Sequence, residues 1–196
     1  LWYAWIPLLA GQYRLIRPDF RGQGQSPMPA HKYTWKGFAD DMNTLVESLG
    51  LQDIHLLGET LGGTLCLLYA HYYPNKVKSL SMATSPCRWT DPQVTATLRQ
   101  TRRWIEEGGV IHRARESFES RLGLESDPGH DEWYKQEMGN TPFHTSMEMQ
   151  DLQLSGEELT DIFRQVQVPT LIMSSQETYD SRPEHARDVA PLIPNS

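Results

Sequence analysis

The chain has 196 residues, with 25 acidic and 18 basic side chains for a net charge of −7. That length bounds it to one sizeable domain with its own core, or a domain carrying a large insertion. The acidic balance argues against nucleic acid and supplies no polybasic patch, and the longest apolar stretches fall far short of the ~20 residues that cross a membrane.

Residues 13–17 (YRLIR) form a short apolar run closed by Pro18 and followed by Asp19, Arg21, Gly22, Gly24 and Ser26. The pattern predicts a buried strand feeding a glycine-rich loop. Phe38, Met42, Leu45, Val46 and Leu49 then recur at helical spacing, with Gly50 placed to end the helix. Residues 54–57 read as a second buried strand and residues 60–73 as a second helix, carrying Leu61, Leu65, Leu68, Tyr69 and Tyr72 on its apolar face and stopped by Pro74. Residues 77–84 supply a third strand. This alternation implies a parallel sheet with helices on its faces. Cys66 lies in the apolar second helix and reads as a buried free thiol; with Cys87 as the only other cysteine there is no disulfide scaffold, and a cytoplasmic location follows.

From Ser85 to Val166 the strand signal gives way to helix signals. Asp91 with Pro92 and Thr141 with Pro142 read as N-cap and first-turn pairs, and Ser155 with Glu158 has capping-box spacing. Val94, Leu98, Thr101 and Ile105 make one stripe, Ala114, Phe118 and Leu122 a second, and Leu159, Ile162, Phe163 and Val166 a third. Residues 168–174 return to a strand and residues 183–192 to a helix. The organisation is therefore a first part of an α/β core over 1–86, a helical cap insertion over 87–166, and the rest of the core over 167–196. The chain opens on Leu1 and Trp2 without a methionine and stops just after a helical run, which reads as trimming at both ends.

Between the second strand and second helix stand Gly58, Glu59, Thr60, Leu61 and Gly62. A strand that runs through such a motif directly into a helix makes a very tight turn, in which side chains at Gly58 and Gly62 are expected to collide with neighbouring backbone. The turn exposes the Thr60 hydroxyl. The helix that follows aims its first amide groups at the same place, so the Leu61 N–H is a candidate oxyanion donor.

With that context the chain resembles the α/β-hydrolase superfamily. The run YRLIRPDFRGQGQS is similar to the strand and loop that precede the elbow there. Leu49, Gly50 and Leu51, followed by residues 54–62, resemble the approach to the elbow, and Val168, Pro169 and Thr170 resemble the return strand after a helical cap. The resemblance implies an α/β-hydrolase fold, mostly parallel, with the nucleophile at Thr60, an acid just after the return strand, and a histidine after one further strand. The acid position falls on Thr178, which cannot orient an imidazolium; Glu177 and Asp180 flank it, and a shift in the loop makes Asp180 the substitute acid. The histidine and the first oxyanion loop are expected beyond Ser196 and before Leu1.

Threonine departs from the family's serine. A β-branched residue at the positive φ of an elbow carries strain of roughly 1–3 kcal/mol, and its methyl crowds the line of attack. Three readings stay open: a hydrolase using Thr60, a protein that kept the fold but lost the triad and binds a small ligand unchanged, and an enzyme whose chemistry bypasses this hydroxyl. Epoxide hydrolase and haloalkane dehalogenase chemistry, which in this superfamily uses an aspartate nucleophile, is disfavoured at Thr60.

The seven histidines show no zinc spacing, so neither metal nor cofactor is implied. His112 and His144 are candidates to reach the site from the cap. Trp89, Trp104, Trp133, Met138, Phe143, Met147 and Met149 enrich the insertion in large apolar groups, as substrate-pocket lining or as the cap's own core. The function these features imply is hydrolysis of a small apolar ester, lactone or related acyl compound, with a catalytically silent binding protein as the alternative.

Overall fold

Strands β1 (Ile54–Glu59), β2 (Val77–Ala83) and β3 (Thr170–Met173) form a parallel sheet in the order β1-β2-β3. They are seen in a computed structural model that describes residues 2–28, 31–86, 88–117, 128–175 and 183–196. The helices among these residues are α1 (Ile6–Leu9), α2 (Trp35–Ser48), α3 (Leu61–Tyr72), α4 (Pro92–Glu116), α5 (Pro128–Gly139), α6 (Phe143–Gln153), α7 (Thr160–Phe163) and α8 (Pro183–Val189). The chain is thus of the α/β class, its described strands parallel and its β2-to-β3 connection helical where described. None of these helices is long and apolar enough to cross a membrane.

The expected strand over residues 13–17 does not form. The backbone there joins no ladder, and Tyr13 is 48% and Ile16 38% exposed. An apolar run becomes a buried strand only when a neighbour takes up its hydrogen-bonding groups, and here the described partner of β1 is β2 alone. Its side chains are engaged at the surface instead. Tyr13 meets His55 edge to face, and the Arg17 guanidinium lies over the Tyr3 ring. The glycine-rich loop that follows is well tied: Arg21 forks onto the Asp41 carboxylate of α2, and the Tyr33 hydroxyl donates to the Arg21 carbonyl at 2.8 Å.

The caps sort differently from the sequence reading. Thr34 opens α2 by accepting from the Gly37 N–H at 3.0 Å, four residues before the apolar stripe begins at Phe38, and Gly50, at φ 62°, follows its end. Asp91 caps α4 as expected, accepting from Gln93 and Val94. Thr141 does not cap α6, because Pro142 occupies that place and has no side-chain acceptor. Nor does Ser155 form a capping box with Glu158. It accepts from Glu157, while Glu158 accepts from the Thr160 N–H at 3.0 Å and so serves α7 directly. Inside α4 the helical geometry breaks at Gly108 and Gly109, the latter at φ 77°.

Two apolar cores meet on α3. Its residues Cys66, Leu67, Tyr69 and Ala70 pack with Leu56, Leu80 and Met82 of the sheet and with Phe163, Val166 and Val189. Leu65 and Leu68, on another side of the same helix, join a second core with Trp35 and Phe38 of α2, Val94 and Leu98 of α4, and Leu152 of α6. Residues 63–70 are all buried, as a helix apolar around most of its circumference requires. The expected stripes in the insertion hold: Val94, Leu98, Thr101, Ile105 and Ala114 are buried, as are Leu159, Phe163 and Val166. Phe118 and Leu122 lie outside the described residues.

A close backbone crossing joins β1 to α3. A Cβ on Gly58 would overlap the Gly62 carbonyl and come within 2.5 Å of the Gly63 nitrogen. Gly62, contrary to expectation, has open space around its own Cβ position; what it contributes is backbone passing over Gly58. The second glycine that space demands is Gly63, where a Cβ would strike Ser85. Gly58→Ala should therefore cost about 3 kcal/mol by overpacking, whereas Gly62→Ala should be neutral or stabilise the helix by up to about 1 kcal/mol, as read by denaturant unfolding. Equal losses at the two positions would contradict this assignment.

Burial pushes the Cys66 thiol up to about 12. Folding thus favours the neutral thiol, a contribution complete below the unfolded thiol's ~8.5 and lost as pH rises through about 12. In a Cys87→Ser background, Cys66 should resist a disulfide reagent at about pH 8 until denaturant is added.

Candidate active site

The β1-to-α3 turn is made by one residue. Thr60 sits at φ 52° and ψ −121°, between the last residue of β1 and the first of α3. Its N–H donates to the Ala83 carbonyl at 3.0 Å, continuing the β1–β2 ladder by one step, and its own carbonyl accepts from the Gly63 N–H at 3.1 Å. With both backbone groups held and α3 packed on two sides, the chain reverses within that single residue. Strain of this kind persists where the surroundings over-determine it.

Thr84 repeats the positive φ on the next strand. It follows β2 at φ 45°, and its N–H donates to the Met173 carbonyl at 2.8 Å. Because Glu59 and Ala83 are register partners, Thr60 and Thr84 emerge side by side at the carboxyl ends of β1 and β2. In open parallel sheets that edge is where ligands bind.

The Thr60 hydroxyl does not cap α3, although a threonine before a helix usually would. Its Oγ1 donates to the Glu59 Oε1 at 2.6 Å. Glu59, the second residue of the elbow run, thus turns onto the hydroxyl. Leu61 and Gly62 stand in the first turn of α3, where backbone N–H groups have no intrahelical acceptor. No acidic residue occupies that turn, so its positive end is not neutralised from within the helix. A hydroxyl, a carboxylate and a helix N-terminus thus converge within four consecutive residues, 59–62.

Other candidate residues are placed elsewhere. Asp180, with Thr178 and Glu177, lies outside the described residues. His112 sits beside Glu107 and Glu116 of its own helix, at 4.0 and 3.8 Å, and His144 is exposed on α6. His55 shares a 2.7 Å hydrogen bond with Ser79, and His130 stacks on Trp133. Trp89 and Met149 belong to the second core, while Trp133 and Phe143 stand at the surface. The sequence reading left the direction of Glu59 open and did not single out Thr84; a residue flanking an elbow carries no periodic signal that distinguishes the two sides.

Comparison with known proteins agrees with this architecture. A family profile described as alpha/beta hydrolase fold matches residues 1–195. Among curated proteins, the soluble epoxide hydrolase of Corynebacterium sp. (strain C12) is 36% identical over 73 residues, which is 36% of this chain and 26% of that protein. A fluoroacetate dehalogenase from Burkholderia sp. is 32% identical over 87 residues, or 42% of this chain and 29% of that protein. The matches thus span between a quarter and a third of these relatives. Among solved structures, a thermophilic esterase from Thermogutta terrifontis superposes with a TM-score of 0.85 at 25% identity, covering 100% of this chain and 73% of that one. The enol-lactonase from Burkholderia xenovorans LB400 has the same fold, with a TM-score of 0.86 at 19% identity, covering 99% and 74%. On the profile match over nearly its whole length, together with the parallel sheet and the tight β1-to-α3 turn, the chain belongs to the alpha/beta hydrolase fold family.

Proposed function

We propose that this protein hydrolyses a small apolar ester, lactone or related acyl compound, with the Thr60 hydroxyl as nucleophile and the Leu61 N–H as an oxyanion donor. The observation that carries this reading is the Thr60 hydroxyl itself, held at the head of α3 by a strained turn and hydrogen-bonded to a carboxylate rather than spent on capping the helix. The esterase and the enol-lactonase among its structural neighbours support an acyl substrate by analogy.

The curated relatives named for epoxide and fluoroacetate chemistry raise a different possibility, which the chemistry of residue 60 disfavours. Attack by an alcohol on a saturated carbon leaves an ether, which offers water no carbonyl for release. Attack on an acyl carbon leaves an ester of Thr60, which water can cleave. A hydroxyl at this position therefore turns over on acyl substrates and not on epoxides or alkyl halides. The acid position of the resemblance falls on Thr178, and Asp180 beside it is the substitute for orienting a histidine.

The threonine methyl limits the rate, since it narrows the approach to Oγ1. Thr60→Ala should lower kcat for p-nitrophenyl acetate by at least about 10²-fold, leaving only the turnover that oxyanion binding sustains, whereas Thr60→Ser should preserve or raise it. Equal rates in the wild type and Thr60→Ala would remove Thr60 from the chemistry. Stabilisation by a small ester that is recovered unchanged would favour a binding protein instead.

A further inference from the structure

We infer that Glu59 sets the charge selectivity of the site: it turns away acyl substrates that carry a negative charge near the scissile carbonyl and favours those that carry a positive one. The inference rests on the reading of Thr60 as nucleophile. It leaves the proton of Thr60 to the histidine that the resemblance implies, and gives Glu59 a purely electrostatic part.

Distance brings the charge to the substrate. The Glu59 Oε1 stands 2.6 Å from the Thr60 Oγ1. A carbonyl carbon poised for attack lies roughly 3–3.5 Å from its nucleophile, so it falls within about 6 Å of this carboxylate whatever its direction of approach. Glu59 is the last residue of β1, in register with Ala83, while Thr60 is pinned by its N–H on the Ala83 carbonyl. The carboxylate therefore leaves from a fixed strand end, beside the hydroxyl.

The charge is not cancelled by a neighbour. None of the ion pairs among the described residues includes Glu59. Thr60, Leu61 and Gly62 after it, and Ala83, Thr84 and Ser85 at the end of β2, carry no charge. The first turn of α3 opposes it with roughly half a positive charge spread over several amides, against a full negative charge on a carboxylate. Glu59 is only partly buried, so water weakens its field without abolishing it. Between the dielectric of water and that of a protein surface, two unit charges ~8 Å apart shift an affinity by about fivefold, and exchanging a cation for an anion there shifts it by about 25-fold.

The test takes the ratio of kcat/KM for two p-nitrophenyl esters of matched size, those of γ-(trimethylammonio)butyric acid and γ-sulfobutyric acid, each divided by its rate with hydroxide. A ratio within one enzyme is unaffected by a general loss of activity in a variant. The wild type should favour the cationic ester, and the preference should shrink between about 0.02 and 0.5 M salt. Glu59→Gln should lower the ratio by about 25-fold, and Glu59→Asp should keep most of it. Asp53, directly ahead of β1, lies roughly 20 Å away at the other end of that strand, so Asp53→Asn removes the same charge and should leave the ratio within about twofold. A ratio that falls as far in Asp53→Asn as in Glu59→Gln would trace the preference to the net charge of the chain and overturn the proposal. If Thr60→Ala is inactive while Glu59→Gln keeps the wild-type ratio, the selectivity role of Glu59 is overturned and the reading of Thr60 stands. If Thr60→Ala matches the wild type, both fall. Should Glu59→Gln fail to fold, the wild type still decides: a ratio at or below one at low salt overturns the proposal.

Discussion

Everything around the elbow follows from how closely the backbone of α3 crosses the end of β1. At Gly58 no side-chain atom fits between the two, and a single residue, Thr60, separates strand from helix. The whole change of direction then falls on residue 60, which adopts a left-handed backbone that glycine would take freely and threonine does not. Burial on two sides prevents α3 from sliding to relax it. The position of the hydroxyl is thus a by-product of packing, fixed before any chemistry is considered.

Two opposed fields act on that hydroxyl. The carboxylate of Glu59 accepts its hydrogen bond, and the N-terminal turn of α3 presents amide hydrogens to any negative charge that forms nearby. Threonine enters this arrangement with the right functional group and the wrong shape, since its methyl adds strain and bulk without adding reactivity.

Most of the architecture could be read from residue patterns, because it depends on local spacing. The strand before Gly58, the helix after Thr60, the strand over residues 77–83 and the Asp91 cap each carry their signal within a few residues. What could not be read depends on neighbours distant in the chain. Residues 13–17 look like a strand but have no ladder partner among the described residues. Gly62 looks as indispensable as Gly58, yet it is Gly63 that meets Ser85 across 22 residues of sequence. Thr141 and Ser155 have the chemistry of caps, and one proline and one glutamate took their places. Glu59 is the instructive case at the site: its identity was plain, and its direction depended on one rotamer.

The sharing of α3 between two cores has a consequence for how this molecule comes apart. A helix that belongs to both the sheet's core and the second core cannot be released by loosening either alone, so the two are coupled into one cooperative unit through it. Its amide hydrogens would be expected to exchange with solvent only on global opening, later than those of the exposed α5. The hydroxyl at its head is thereby anchored to the slowest-opening part of the fold, and the strain at Thr60 draws on the stability of the entire domain.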